Sequence, residues 1–402
     1  MNEGSLTLLH CLVLGGLVFA LVQLALNLAV LPRLGKVRLR EDRLPRVSIL
    51  VPARNEALNI EACVRSLLAQ DYPAFRVHVL DDHSTDGTGE MVRRLGLDET
   101  NGGLLQGADL PPGWVGKNWA CHQLSEVADG EYLLFTDADT IHEPGALRAL
   151  VSLALERRAV LVSAWPEQIT KSIGEQLVVS LLPFLGALAY PFFLLRLLEA
   201  YPRLRVWVPR EARRSLGAAN GQVILFERGG YGRVGGHAAL RDHLVEDVAL
   251  GRAVASRMGE GLWWVNCDGA GMVRCRMYRN FGEVWEGFTK NVRAAFEGGL
   301  FQFCAAGAGQ VVFFVLPFCW LLGPESHVEW ARCEVGLVLL LRVIATLGLG
   351  GAWWSVVLHP VAYVLALAIG LNSWRRSAGA GVLWKGRLYQ VSHPSAAGEF
   401  GP

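Results

Sequence analysis

Apolar residues follow three different rhythms along this chain. One unbroken apolar run occupies residues 6–31; short apolar runs ending in polar clusters fill the middle; long apolar runs return after Phe301. The first run is almost uncharged and long enough to span a bilayer. No basic residue precedes Leu6 and no small-residue cleavage pattern follows the run, which predicts a retained helix rather than a signal peptide. Arg33, Lys36, Arg38, Arg40, Arg43 and Arg46 come next, so the positive-inside rule predicts an outside N-terminus and a cytoplasmic domain after it.

In the middle region, residues 47–52, 76–80, 132–135 and 159–164 read as strands. Residues 59–70, 87–95 and 145–156 carry helical spacing. Strand–helix alternation predicts an α/β domain with a mostly parallel sheet flanked by helices, and ligands on such sheets gather at the strands' carboxyl ends. Residues 177–198 are apolar, but Pro183 and Pro191 break the run and Arg196 charges it. A bent helix pair lying in the membrane interface is the preferred reading, with a span or a buried core helix as alternatives.

After Phe301, residues 301–322, 335–349 and 353–371 are candidate spans, and Trp320, Trp330, Trp353, Trp354 and Trp374 lie near their ends as interfacial anchors do. Arg342 falls inside the second and is expected to face the bundle or snorkel. Residues 323–334 carry Glu325, Glu329 and Glu334 and fit the outside; the tail with Arg375, Arg376, Lys385 and Arg387 fits the inside. One span before the domain and three after it put both termini outside. The preferred resolution lays one of the three in the interface. The expected organisation is therefore an N-terminal transmembrane helix in 1–35, a catalytic domain in 45–295 with interfacial helices near 177–198, C-terminal transmembrane or interfacial helices in 300–375 and a tail in 376–402.

Composition agrees. The hydrophobic fraction is 52% and the mean hydropathy is +0.30, high for a soluble protein. A net charge of +1 gives no general attraction to nucleic acid. The 8 cysteines contain no Cys-x-x-Cys, which argues against zinc or thioredoxin-type chemistry; they are expected to be reduced, buried small hydrophobes.

Each strand of the middle region is followed by chemistry. The first ends in Pro52-Ala53-Arg54-Asn55-Glu56, which reads either as a nucleotide contact or as a helix start capped by Asn55. The second ends in Asp81-Asp82, able to accept from a base N–H and ribose hydroxyls, and then a Ser84–Gly87 turn. Residues 113–120, Gly-Trp-Val-Gly-Lys-Asn-Trp-Ala, read as a loop in which Lys117 can pair with a diphosphate, or as an ordinary surface loop over packed tryptophans. The third ends in Asp137-Ala138-Asp139, two carboxylates able to hold a divalent cation and leave room for a diphosphate. Glu246-Asp247 opens a helical pattern, where it serves either the helix dipole or as a general base.

In this order the motifs resemble the family 2 glycosyltransferases of GT-A fold, over roughly residues 47–293. Gly113-Trp114-x-Gly116-Lys117, Gly235-Gly236-His237, Phe288-Thr289-Lys290 and Trp384-Lys385-Gly386-Arg387-x-Tyr389 are similar to the membrane-bound carotenoid-acid (4,4'-diaponeurosporenoate) glycosyltransferases of bacteria, and also to hopanoid- and ceramide-type lipid glycosyltransferases. The resemblance implies that Ala53, Arg54, Asn55, Glu56, Asp81, Asp82, Lys117, Asp137 and Ala138 bind the nucleotide-sugar. It implies that Asp139, with Asp137, holds Mg²⁺ or Mn²⁺, and that Asp247, beside Glu246, is catalytic. His237, Lys290 and Arg293 are candidates for acceptor or diphosphate contact; a satisfied histidine in a glycine turn and a solvated helix face are the plainer readings of His237 and Arg293. The Gln/Arg-x-x-Arg-Trp of processive synthases appears here only as Lys290-Asn291-Val292-Arg293-Ala294, which favours a single transfer. The implied activity is inverting transfer of a hexose, glucose by family habit, from a UDP-sugar to a membrane lipid such as a carotenoid acid. It is expected at a bacterial inner membrane in a multi-pass protein with a cytoplasmic catalytic domain and no nucleic-acid partner. A catalytically inactive membrane-anchored binding protein and a nucleotidyltransferase are the competing classes.

Overall fold

The computed structural model describes residues 3–35, 44–97, 100–296, 299–377 and 382–389. The basic cluster's Lys36, Arg38, Arg40 and Arg43, and the tail from 390, lie outside the described residues. The chain forms two units. One comprises Leu31–Ile169 and Leu197–Met277, the other Met1–Val30, Thr170–Arg196 and Tyr278–His393.

The first unit is built on strands β1 (Val47–Ala53), β2 (Phe75–Asp81), β3 (Gly102–Gln106), β4 (Tyr132–Thr136), β5 (Thr140–His142), β6 (Leu161–Trp165), β7 (Glu167–Gln168), β8 (Val223–Glu227), β9 (Trp264–Asp268) and β10 (Val273–Cys275). Seven of them form one sheet in the order β3-β2-β1-β4-β8-β6-β9, and β5-β10-β7 form a small second sheet. β1 pairs in parallel with β2, placing Ala53 opposite Asp81, and in parallel with β4. Its near-continuous apolar sequence, Val-Ser-Ile-Leu-Val-Pro-Ala, is what a strand covered on both faces requires. β8 runs antiparallel to both β4 and β6, so its amino end shares an edge with the carboxyl ends of β1, β2 and β4.

Helices of this unit are α2 (Ile60–Leu68), α3 (Thr88–Arg93), α4 (Gly116–Val127), α5 (Ala146–Arg157), α9 (Arg210–Leu216), α10 (Arg228–Val234) and α11 (Glu246–Ser256). α2 buries Ile60, Cys63, Val64 and Leu67, the i, i+3, i+4, i+7 face its sequence encodes. The segment read as a loop at 113–120 is in fact the start of α4, which begins at Gly116. Strands β3, β8 and β9 have no counterpart in the sequence reading.

The second unit is helical: α1 (Glu3–Val30), α6 (Ile173–Val179), α7 (Leu181–Ala189), most of α8 (Phe192–Ala200), α12 (Phe281–Ala295), α13 (Gly299–Phe314), α14 (Leu316–Trp320), α15 (Glu325–Leu349) and α16 (His359–Ser377). Its core gathers Val13, Leu17, Leu24, Phe184, Phe314, Val338, Leu341 and Tyr363. Asn27 is buried in α1 and donates to the Ala187 and Tyr190 carbonyls at 2.7 and 2.9 Å, satisfying the last turn of α7.

Among the described residues one helix, Gly4–Val30, is long and apolar enough to cross a membrane; residues 173–189 and 192–200 pass the same test together but are bent by 43°. The expected C-terminal spans take other forms. α13 is too short, at 16 residues. α15 extends back to Glu325 and so takes up the acidic residues read as an outside loop, with Glu334 buried and 2.8 Å from His10 Nδ1. The cysteines divide: Cys63, Cys121, Cys267 and Cys275 are buried, whereas Cys11, Cys304, Cys319 and Cys333 are exposed, and all eight are free thiols.

Candidate active site

The carboxyl edge of the sheet carries two side-chain networks. The first laces the loops after β1 and β2. Asn55, in left-handed backbone at φ 53°, accepts from the Thr85 N–H at 2.9 Å, and its own N–H donates to Ser84 Oγ at 2.9 Å. The N–H groups of Glu56 and Ala57 donate to Thr88 Oγ1 and Asp86 Oδ2. Arg54 reaches the carbonyls of Asp82 and His83. Asp81 is buried and accepts from the Ser84 N–H at 3.0 Å. Gly89 gives it room, since a Cβ there would stand 2.3 Å from Asp81 Oδ2. Asp82 is also buried. The residues expected to bind the nucleotide therefore sit together, and Asn55 and Asp81 spend oxygens on shaping the loops.

The second network is ionic. Lys117, in the first turn of α4, places Nζ 2.8 Å from Asp137 Oδ1 and 2.8 Å from Glu246 Oε1. α4 is fixed there by the Val115 N–H donating to the Arg241 carbonyl and by buried Asn118, whose amide donates to the Leu240 and His243 carbonyls. Beside this clamp, Asp247 accepts from the Gly221 N–H at 2.7 Å and from the Val248 N–H at 2.8 Å. A Cβ on Gly221 would lie 3.1 Å from Asp247 Oδ2 and 3.3 Å from Lys117 Nζ, so these side chains would have to give by a few tenths of an ångström.

The charges polarise one another. Burial opposes the Lys117 ammonium, but Asp137 and Glu246 outweigh it and hold its pKa well above the usual lysine range. Burial alone would raise Glu246; the Lys117 charge and hydrogen bond overcome it and leave Glu246 below its usual value. Burial and then the Glu246 charge push Asp247 up to about 6, against the pull of Lys117 and two backbone N–H groups. Two adjacent carboxyls are thus driven apart, one into a salt bridge and one toward neutrality.

Asp139 lies close to Asp137 in sequence but faces the small sheet, where Cys275 Sγ donates to its Oδ1 at 3.4 Å. Burial, reinforced by Asp139 and Asp137, holds the Cys275 thiol well above its usual value, so it is a neutral donor and not a thiolate ligand. Gln222 joins this layer: its side-chain amide donates to Cys275 Sγ at 2.9 Å and its main-chain carbonyl accepts from the Asp137 N–H at 3.2 Å. Among the described residues no three His, Cys, Asp or Glu side chains are grouped to hold a metal unaided. Asp137 and Asp139 alone offer hard oxygen donors, which fits a divalent cation that takes its remaining ligands from a diphosphate and water.

His237 is buried, with Nδ1 2.8 Å from the Tyr231 hydroxyl and its ring 4.8 Å from Phe135. Burial, only partly offset by Glu246, lowers its pKa to about 4, so it is neutral. That matches the plainer of its two readings, a histidine satisfied within its glycine turn. Lys290 and Arg293 belong to the helical unit, on α12; there the Arg293 N–H donates to Ser373 Oγ at 3.0 Å and its guanidinium lies 4.4 Å over the Trp374 ring.

Gly221, Gln222, Asn118 and Cys275 escaped the sequence reading. The signal for the first two was present: a small, polar run, Gly217-Ala-Ala-Asn-Gly-Gln222, stands directly before the apolar Val-Ile-Leu-Phe of β8.

Comparison with known proteins agrees with this architecture. Residues 48–199 match glycosyl transferase family 2. The chain is 27% identical over 360 residues to a 4,4'-diaponeurosporenoate glycosyltransferase of Staphylococcus aureus strain MRSA252, covering 86% of this chain and 88% of the relative. The USA300 enzyme of the same name is 26% identical over 373 residues. The mannosyltransferase PcManGT from Pyrobaculum calidifontis, solved with GDP-Man and Mn²⁺, superimposes with a TM-score of 0.50 at 18% identity, covering 92% of this chain and 97% of that one. That likeness shows the GT-A-type fold. The chain carries a family 2 glycosyltransferase domain and is a glycosyltransferase.

Proposed function

We propose that this chain moves a hexose, glucose as first choice, from a UDP-sugar to a membrane lipid acceptor, a carotenoid acid or related terpenoid, with inversion at the anomeric carbon. The single observation that carries the reading is the convergence of Lys117, Asp137, Glu246 and Asp247 at the edge where the loops after β1 and β2 also gather. The carotenoid acceptor rests on the name of the Staphylococcus relatives.

In this mechanism Ala53, Arg54, Asn55, Glu56, Asp81 and Asp82 surround the uridine, and Ala138 and Asp137 lie along the diphosphate. Asp139 and Asp137 would hold Mg²⁺ or Mn²⁺, the latter being the ion in the mannosyltransferase complex, and that ion would supply positive charge against the leaving diphosphate. Lys117 adds a positive charge beside it. An acceptor oxygen attacks the anomeric carbon opposite the diphosphate, the bond to the diphosphate breaks, and UDP leaves with the electron pair. A carboxylate acceptor is already ionised and needs no base. A hydroxyl acceptor must lose its proton, and Asp247 receives it. The elevated pKa of Asp247 favours this second reading, a ceramide-, diacylglycerol- or hopanoid-type acceptor, because a base poised near neutrality is needed only there. Glu246, tied up by Lys117, is the poorer base. α1 would anchor the enzyme in a bacterial inner membrane with the α/β unit in the cytoplasm, and residues 300–375 would add interfacial or spanning helices.

The test incubates the purified full chain with UDP-glucose, Mn²⁺ and a lipid extract from cells lacking the gene. The expected products are UDP and a hexosyl lipid seen by mass spectrometry. Release of glucose 1-phosphate, with the uridylyl group carried to the acceptor, would mark a nucleotidyltransferase, and donor binding without turnover with any acceptor would mark an inactive binding protein; either result sinks the proposal.

A further inference from the structure

The helical unit buries a cation for which none of its described residues provides a counter-ion. Arg342, in α15, is 1% exposed. Its Nη1 donates to the Ser180 carbonyl and its Nη2 to Ser355 Oγ, each at 3.1 Å, and its guanidinium lies 5.1 Å over the Phe184 ring. Among the described residues no carboxylate pairs with it. His359 packs edge-on against the same Phe184 ring and 4.7 Å from the Tyr363 ring, and both are fully buried. Arg342 Nε, both ring nitrogens of His359 and the Tyr363 hydroxyl have no hydrogen-bond partner. Val338, Leu341, Ala345, Phe314 and Ala362 make the surroundings apolar.

A buried cation and a set of buried donors without partners are each costly, and here they coincide. The unpaired inventory is an Arg N–H, a Tyr O–H and both imidazole nitrogens, at least one of them an N–H: donors outnumber acceptors, the guanidinium adds positive charge, and no acid among the described residues answers it. An apolar liner or a lone water would leave the charge unanswered. An oxyanion would neutralise it and accept from all three. We infer that Arg342, His359 and Tyr363 form a binding site for the anionic oxygen headgroup, carboxylate or phosphate, of an amphiphile whose apolar part lies among these helices. The amphiphile is either an acidic lipid substrate or a resident anionic phospholipid. Binding is measured without a sugar donor, so it stands or falls separately from sugar transfer.

The experiment uses the full chain in phosphatidylcholine nanodiscs, with all-trans-retinoic acid and its methyl ester as probes and tryptophan quenching as the readout. The acid is expected to bind ~10-fold or more tightly than the ester, the scale of one charge-assisted contact. Arg342→Gln should erase that preference. Tyr363→Phe, which keeps the ring stacked 5.1 Å from Phe314, should weaken the acid ~3- to 10-fold and leave the ester unchanged; it carries the test if the arginine variant does not fold. The second arm is native mass spectrometry of chain purified from cells. A tightly held phosphatidylglycerol that the Tyr363 and Arg342 variants lose would identify the resident-lipid source. Equal binding of acid and ester, with no anionic lipid retained in a Tyr363- or Arg342-dependent way, overturns the inference and leaves the cluster merely hydrated.

Discussion

Lys117 keeps 35% of its side chain exposed and Arg342 is 1% exposed, and the surroundings of the two cations differ. Lys117 is gripped by two carboxylates at 2.8 Å, within a fold that supplies further acids on either side. Arg342 meets a carbonyl, a hydroxyl and an aromatic face. In the α/β unit the cation is balanced by the chain itself, by Asp137 and Glu246. In the helical unit the positive charge stands in surplus. The first arrangement suits a group that changes partner during turnover; the second suits a group whose partner comes from outside. Substitutions on each side of that contrast can break it or sharpen it.

The largest effect is expected at Asp247. Asp247→Asn should lower kcat with a hydroxyl lipid by ~10²- to 10⁴-fold, the range for losing a general base, and by far less with a carboxylate lipid. UDP release measured with both acceptors decides it; near-wild-type turnover of the hydroxyl substrate removes Asp247 from the mechanism. Next, Lys117→Met should leave Asp137 and Glu246 facing each other unpaired and raise the KM for the donor ~10-fold or more, the cost of a lost charge-assisted contact. An unchanged donor KM would show that Lys117 serves stability alone. Gly221→Ala should bring a methyl against Asp247 Oδ2 and Lys117 Nζ and cut kcat ~10-fold, the order of a small misplacement of a reacting group, with little change in Tm.

The pH profile sharpens the same side. Asp247 is protonated below about 6, so turnover of a hydroxyl acceptor should fall as pH drops through that value. Glu246→Gln removes the neighbouring negative charge and should move the fall to lower pH. A profile with the same limb for a carboxylate acceptor would assign it to another group. The smallest effect is expected on the helical side: Arg342→Met should leave Tm unchanged or raised, because replacing a buried uncompensated charge with an apolar group of similar size is neutral or favourable. A marked drop in Tm would make Arg342 a structural tie and narrow the contrast.

Much of the acidic rim of the sheet was legible because its acids directly follow strands. Asp137-Ala138-Asp139 follows Tyr-Leu-Leu-Phe-Thr, buried at every position as a doubly covered strand is, and Asp81-Asp82 closes Phe-Arg-Val-His-Val-Leu, where apolar residues alternate with Arg76 and His78 before a buried end. Lys117 was recognised but given to a loop, since Gly113 and Gly116 mask the helix that starts at Gly116. Gly221 and Gln222 went unread because their place depends on β8 pairing antiparallel with β4, a long-range choice that its four apolar residues do not encode locally. Arg342 was expected to face the bundle or snorkel, and it faces inward. That no acidic partner meets it among the described residues is a tertiary fact, since Glu325, Glu329 and Glu334 share its helix and lie two or more turns away.

The reversed direction of β8 has a topological consequence. A strand entering from the reacting edge presents main-chain N–H groups from the residues before it, and Gly221 uses one on Asp247. It also means that the polypeptide between β7 and β8 is free to wander and return to that same rim. Residues 170–196 make such a detour into the other unit. An insertion in that excursion would leave β8 paired in register with β4 and β6.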